Sequence, residues 1–97
     1  MAQVKPDTQF ANRVNNYLDY LINEWEGVPD LAAEWDEWDE WSKFSFVMDW
    51  PIREDRLHQL KEWAEQGLLT PAQRARYDDL LKLVAEHRPT MDKLLAD

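Results

Sequence analysis

Glu54, Asp55 and His58 are the residues best spaced for chemistry in this 97-residue chain. On a helix, carboxylates four and three positions before an imidazole share its face, an arrangement by which helical proteins hold metal ions. A di-metal centre needs a second pair of that kind, and the other histidine, His87, has Leu83 and Val84 at those positions. The expectation is a partly exposed histidine beside a helical carboxylate, with no metal and no cofactor. Nucleophilic chemistry lacks its parts as well. There is no cysteine, hence no thiolate and no disulfide, and the only serines, Ser42 and Ser45, lie in no nucleophile elbow. Gly27 and Gly67, the only glycines, are too few for a phosphate-cradling loop, and residues 36 to 40 lack the glycine at the sharp turn of a calcium loop. No catalytic site is expected.

The remaining pattern is Glu34-Trp35-Asp36-Glu37-Trp38-Asp39-Glu40-Trp41, a tryptophan at every third position with two acids between. On an α-helix a three-residue step turns by about 300°, so the three indoles fan over about 120° of surface. They cannot all face one core line, and at least one is expected in partial exposure beside carboxylates. Two roles fit the segment. The tryptophans can be the bulky core of a small bundle, with the acids as its solvated face. Alternatively, Trp35, Trp38 and Trp41 anchor a partner protein while Asp36, Glu37, Asp39 and Glu40 steer it. The two roles are not exclusive.

Charge placement narrows the partner. The net charge of −9 is carried almost wholly by residues 1 to 50, which hold eleven acids and three bases, against nine acids and eight bases in residues 51 to 97. Residues 24 to 40 contain eight acids and neither Lys nor Arg. Such a field repels nucleic-acid phosphates and anionic membrane surfaces and attracts basic proteins. Direct nucleic-acid binding is therefore not expected, and a basic partner such as a toxin or a nucleic-acid enzyme is. No segment approaches the roughly 18 continuous apolar residues of a membrane span. Met1-Ala2-Gln3-Val4-Lys5-Pro6 lacks the apolar core of a signal peptide, so cytoplasm is the expected compartment.

Proline and glycine punctuate the chain into about four expected helices. The first begins after Pro6, with Asp7 or Thr8 as N-cap, and runs to Gly27, where glycine can adopt the left-handed conformation that ends helices. Phe10, Val14, Tyr17, Leu18, Leu21, Ile22 and Trp25 form its apolar stripe. The second follows Pro29, with Asp30 as cap, and runs until Trp50-Pro51 stops it. Within it, residues 44 to 48 are also compatible with a short strand or an extended turn, but no second strand candidate exists to pair with them, so they read as helix or irregular. The third covers residues 52 to 66 and closes at Gly67. The fourth has the sharpest start, Thr70-Pro71-Ala72-Gln73, with a capping hydroxyl, proline at N1 and glutamine at N3. Its stripe of Tyr77, Leu80, Leu81, Val84, Met91, Leu94 and Leu95 keeps phase across Pro89, so the helix either kinks near Arg88 or restarts there. Short connections favour an all-α fold in one helical domain over residues 1 to 97, either an up-and-down bundle or two packed hairpins. Residues 51 to 97, with acids and bases interleaved and pairs such as Asp78 with Lys82, read as a solvated hairpin that scaffolds the acidic half or dimerises it.

Asp49-Trp50-Pro51-Ile52-Arg53-Glu54-Asp55-Arg56-Leu57, followed by Gly67-Leu68-Leu69-Thr70-Pro71-Ala72-Gln73-Arg74-Ala75-Arg76-Tyr77, resembles the C-terminal half of small acidic helical proteins of bacteria, some of them antitoxin-like. The resemblance covers about half of the chain and implies a protein that neutralises a basic toxin by covering its active surface. No basic operator-binding arm accompanies it. The first expectation for function is thus a non-catalytic, antitoxin- or inhibitor-like binding module. A DNA-mimic inhibitor of a nucleic-acid enzyme and a structural subunit of a larger complex are the alternatives.

Overall fold

Val14, Leu18, Leu21 and Trp25 recur at helical spacing and are fully buried, which fixes the inward face of α1, Pro6–Glu26. A computed structural model describes residues 6 to 96. Residues 1 to 5, on which the expected absence of a signal peptide rests, and Asp97 lie outside the described residues. The described residues form four α-helices and one 3₁₀ turn, in the order α1, α2 (Val28–Glu34), the turn Trp35–Glu37, α3 (Glu40–Glu65) and α4 (Pro71–Ala96). Among them there is no strand.

The fold is all-α, with different joints from those expected. Pro6, the first described residue, is already helical, so Asp7 and Thr8 lie inside α1 instead of capping it. α1 does stop before Gly27, yet that glycine is right-handed, with φ −81° and ψ −5°, and serves as the N-cap of α2, which Pro29 opens. Asp30 accordingly lies in the first turn of α2 and is not its cap. Pro51 does not end a helix. α3 runs through it, so residues 42 to 50 are helical and the expected second and third helices share one rod. Proline in a helix interior costs about 3 kcal/mol, and packing on both sides offsets it. Before it, Trp50 is buried against Trp25, with ring centroids 5.3 Å apart. After it, Arg53 reaches Glu24 at 2.7 Å and Leu60 lies in the core. α4 likewise continues across Pro89, with Val84 and Met91 buried on either side.

α1 packs antiparallel to α3 and parallel to α4. Phe10 and Tyr17 meet Trp63, and Trp25 meets Trp50. Gln73 reaches Ala11 and Asn15 early in α1, whereas Arg88 lies over the Trp25 ring near its end. The three long helices thus form an up-down-up bundle, and α2 with the 3₁₀ turn folds over one end. The overall dimensions are 55 × 24 × 18 Å, and the radius of gyration is 15.8 Å. A compact chain of this length would have about 12.5 Å. The excess length reflects α3 and α4, each 26 residues long, running on past the end of α1.

The α4 start takes the expected form. The Thr70 amide donates to Gln73 Oε1 at 3.0 Å and the Gln73 amide donates to Thr70 Oγ1 at 3.1 Å, a reciprocal capping box. Gln73, only 5% exposed, adds a tie that the cap alone did not announce. Its Nε2 donates to the Ala11 carbonyl and to Asn15 Oδ1, both at 3.1 Å, which bolts α4 to α1. α3 ends in a Schellman motif, with the Gly67 amide on the Ala64 carbonyl and the Leu68 amide on that of Trp63. Here φ at Gly67 is +74°. The two glycines therefore predict opposite outcomes. Gly67→Ala is expected to lose about 1 kcal/mol through left-handed strain. Gly27→Ala is expected to be near neutral, because its Cβ meets carbonyl oxygens at the ordinary separations of 3.5 and 3.6 Å. Urea unfolding of the two variants checks the contrast.

Candidate functional site

The Trp-acid segment is not a single helix. After the turn Trp35–Glu37 the chain extends, with Trp38 at φ −76° and ψ 142° and Asp39 at φ −74° and ψ 164°, before α3 starts at Glu40. Two physical pressures account for the break. Eight acids without a base would place like charges at i, i+3 and i, i+4 along an unbroken α-helix. The extended backbone at Trp38 and Asp39 interrupts those rows, and the 3₁₀ turn before it, with three residues per turn, brings the Trp35 and Trp38 rings to 5.5 Å.

The break sorts the three tryptophans. Trp35 is 3% exposed and belongs to the core. Trp38 is half-buried, and both rings meet Phe46 edge-on, at 5.8 and 5.9 Å. From Phe46 the aromatic packing continues through Trp50 to Trp25, so this end of the bundle is built from stacked rings. Trp41, on the first turn of α3, points outward. The α-helical fan of indoles is thereby corrected, since Trp35 and Trp38 are inward-facing parts of one cluster and Trp41 alone stands free of it.

Trp41 is the first member of a stripe that the tryptophan pattern had hidden. Trp41, Phe44, Met48 and Ile52 are 71%, 55%, 61% and 49% exposed, and their spacing of three, four and four residues places them on one face of α3. Trp41 and Phe44 pack on each other at 5.8 Å. Of the exposed residues from Trp41 to Ile52, Asp49 alone is charged. Phe44 also borders a groove of about 420 Å³ lined by Trp35, Glu40, Lys43, Val47 and Leu95. Such a stripe is legible in the sequence only after α3 is known to start at Glu40 and to pass through Pro51.

Asp36, Glu37, Asp39 and Glu40 are all exposed around the start of this stripe, with Asp49 and Asp55 further along it. Among the described residues no salt bridge reaches any of these six, nor Asp30 or Glu34. The Ser42 hydroxyl donates to Asp39 Oδ1 and, with backbone N–H groups at the start of α3, holds that carboxyl below its ordinary value. Several of the acids elsewhere are partnered. Arg53 pairs with Glu24, Arg76 with Asp19 at 2.6 Å and Arg88 with Glu54 at 3.0 Å. Arg53 and Arg76 of the second half thus neutralise acids of α1, while Arg88 with Glu54 ties α4 to α3. Asp78 pairs with Arg74, on the preceding turn, in place of the expected Lys82.

Of the residues best spaced for chemistry, Glu54 and His58 have partners other than each other. Glu54 is held by Arg88 and Trp50, and His58, well exposed, pairs with Glu62 at 3.3 Å. No group of three or more metal-ligating side chains gathers among the described residues, and no described helix is long and apolar enough to cross a membrane. Comparison with family models, curated proteins and solved structures finds no match.

Proposed function

We propose that the chain is a non-catalytic protein-binding module, inhibitor- or antitoxin-like, whose outward face of α3 covers a basic surface of another protein. The observation that carries this reading is the apolar stripe of Trp41, Phe44, Met48 and Ile52, bordered by exposed carboxylates that form no ion pair among the described residues. Contiguous exposed apolar residues ringed by polar ones mark interaction surfaces, and an aromatic anchor inside a polar rim is the usual composition of a hot spot. Trp41 is the anchor of the three sequence candidates. Trp35 and Trp38 build the aromatic cluster from which α3 sets out, and Asp36, Glu37, Asp39 and Glu40 steer encounter. DNA mimicry would use the same acids, but a phosphate backbone has no counterpart to the stripe, so the apolar residues favour a protein surface.

A photocrosslinking residue placed at Phe44 or Met48, in the cells that make the protein, tests the proposal. The expected result is one common protein adduct from both positions and none from Asp79, an exposed position on α4. Adducts that are absent, or equally abundant from Asp79, would overturn it. A permanently assembled subunit would be distinguished by sedimentation, which then shows the isolated chain aggregating instead of folding as a discrete species.

A further inference from the structure

Resting on that reading, we infer that the partner element is a basic amphipathic helix laid along α3 between Trp41 and Ile52. Length supports a helix. The stripe spans eleven helical steps, a rise of about 16 Å, and matches three turns of a partner whose apolar residues recur at i, i+4, i+7 and i+11. Backbone chemistry supports it too. The peptide groups of α3 are bonded within the helix, so an extended segment would find no strand edge to pair with, while a helix arrives with its own backbone satisfied. The groove beside Phe44, at about 420 Å³ and flanked by Glu40 and Lys43, has room for one side chain from such a helix.

Charge fixes the sign of its flanks. Asp39 and Glu40 stand at the start of the stripe, Asp49 on one side of it and Asp55 beyond Ile52, all exposed and, among the described residues, without ion pairs. Lys or Arg flanking the partner's apolar face would lie over these carboxylates, with the aliphatic stems covering the stripe margins. A second copy of this chain would instead bring acid against acid on molecules that each carry a net charge of −9. A polycation without apolar positions would leave Trp41 and Met48 in water.

The test uses the full chain, isotopically labelled, titrated with an 18-residue leucine–lysine peptide patterned as an amphipathic helix. Its controls are a scrambled peptide of the same composition and a leucine–glutamate counterpart. The expected result is saturable shifts confined to residues 40 to 55 and to the Trp41 indole. Phe44→Asp and Met48→Asp should each weaken binding tenfold or more. Asp39→Asn, Glu40→Gln and Asp49→Asn together should weaken it several-fold and flatten its salt dependence. Both stripe residues are exposed, and circular dichroism verifies that the variants remain folded. Equal binding of either control peptide, shifts away from α3, no binding, or a dimer closed through the α3 face in sedimentation would each overturn the inference. If crosslinks from Phe44 and Met48 persist in that case, the protein-binding reading stands and only the nature of the partner element is wrong.

Discussion

Trp41→Ala and Met48→Asp are expected to weaken partner binding about thirtyfold or more, the scale of a hot-spot loss, while leaving the unfolding midpoint where it was. Trp35→Ala, six residues upstream, is expected to do the reverse and cost about 3–5 kcal/mol of stability. The difference follows from where each ring lies. Trp41 is mostly in water, and truncating an exposed side chain changes stability by about 0.5 kcal/mol or less. Trp35 is sealed under Trp38 and Phe46, so its removal empties the centre of the aromatic cluster. For a small domain, with a total stability of about 5–15 kcal/mol, a loss of that size approaches global unfolding. Urea titrations and binding measurements on the three variants give the result. A folded, stable Trp35→Ala protein, or a Trp41→Ala protein that unfolds, would show that the inside and outside of this segment have been assigned backwards.

Much of the fold was written in local signals. The stripe of α1, the Thr70 capping box and the apolar phase of α4 across Pro89 each depend on a few neighbouring residues, and each is present. The errors lie where tertiary packing overrides local preference. Pro51 is a sound stop signal on its own, but Trp50, Arg53 and Leu60 are held by α1 and α4 firmly enough to carry the helix through. Gly27 is a sound left-handed candidate, but α2 starts at the very next residue and keeps it right-handed. The site was half legible. The charge excess and the exposure of at least one indole beside carboxylates were readable from composition and spacing. The exposed partners of Trp41 were not, because Phe44, Met48 and Ile52 become one face only when residues 40 to 52 form one helix. The signal that could have revealed this was the three-residue tryptophan period itself, which suits a 3₁₀ turn ending before Asp39 better than an α-helix.

Glu54→Gln is expected to cost about 1–2 kcal/mol near neutral pH, after discounting the charged hydrogen bonds for their partial exposure, and to cost less in acid. Glu54 accepts hydrogen bonds from Trp50 Nε1 at 2.7 Å and from Arg88 Nη1 and Nη2 at 3.0 and 3.1 Å. Burial pushes its carboxyl upward, but the Arg88 and Trp50 bonds, with the Arg88 charge, outweigh that push and hold it below the ordinary value of 4.5. The same bond to Glu54 raises the Arg88 guanidinium, which stays charged throughout. Because the folded carboxyl binds its proton less readily than the unfolded one, its stabilisation is complete above about pH 4.5 and is lost as pH falls through the lower folded value. The gap between the parent chain and the variant in urea unfolding should therefore be constant from pH 6 to 8 and shrink below pH 4.5. A gap that widened in acid would mean that Glu54 is held for some reason other than its charge. The consequence reaches the site, because Pro51 removes one bond from the helix ladder just before Glu54. The start of α3, which displays Trp41 and Met48, depends correspondingly more on side chains that tie the rod to its neighbours, and Glu54 with Arg88 is the tie to α4.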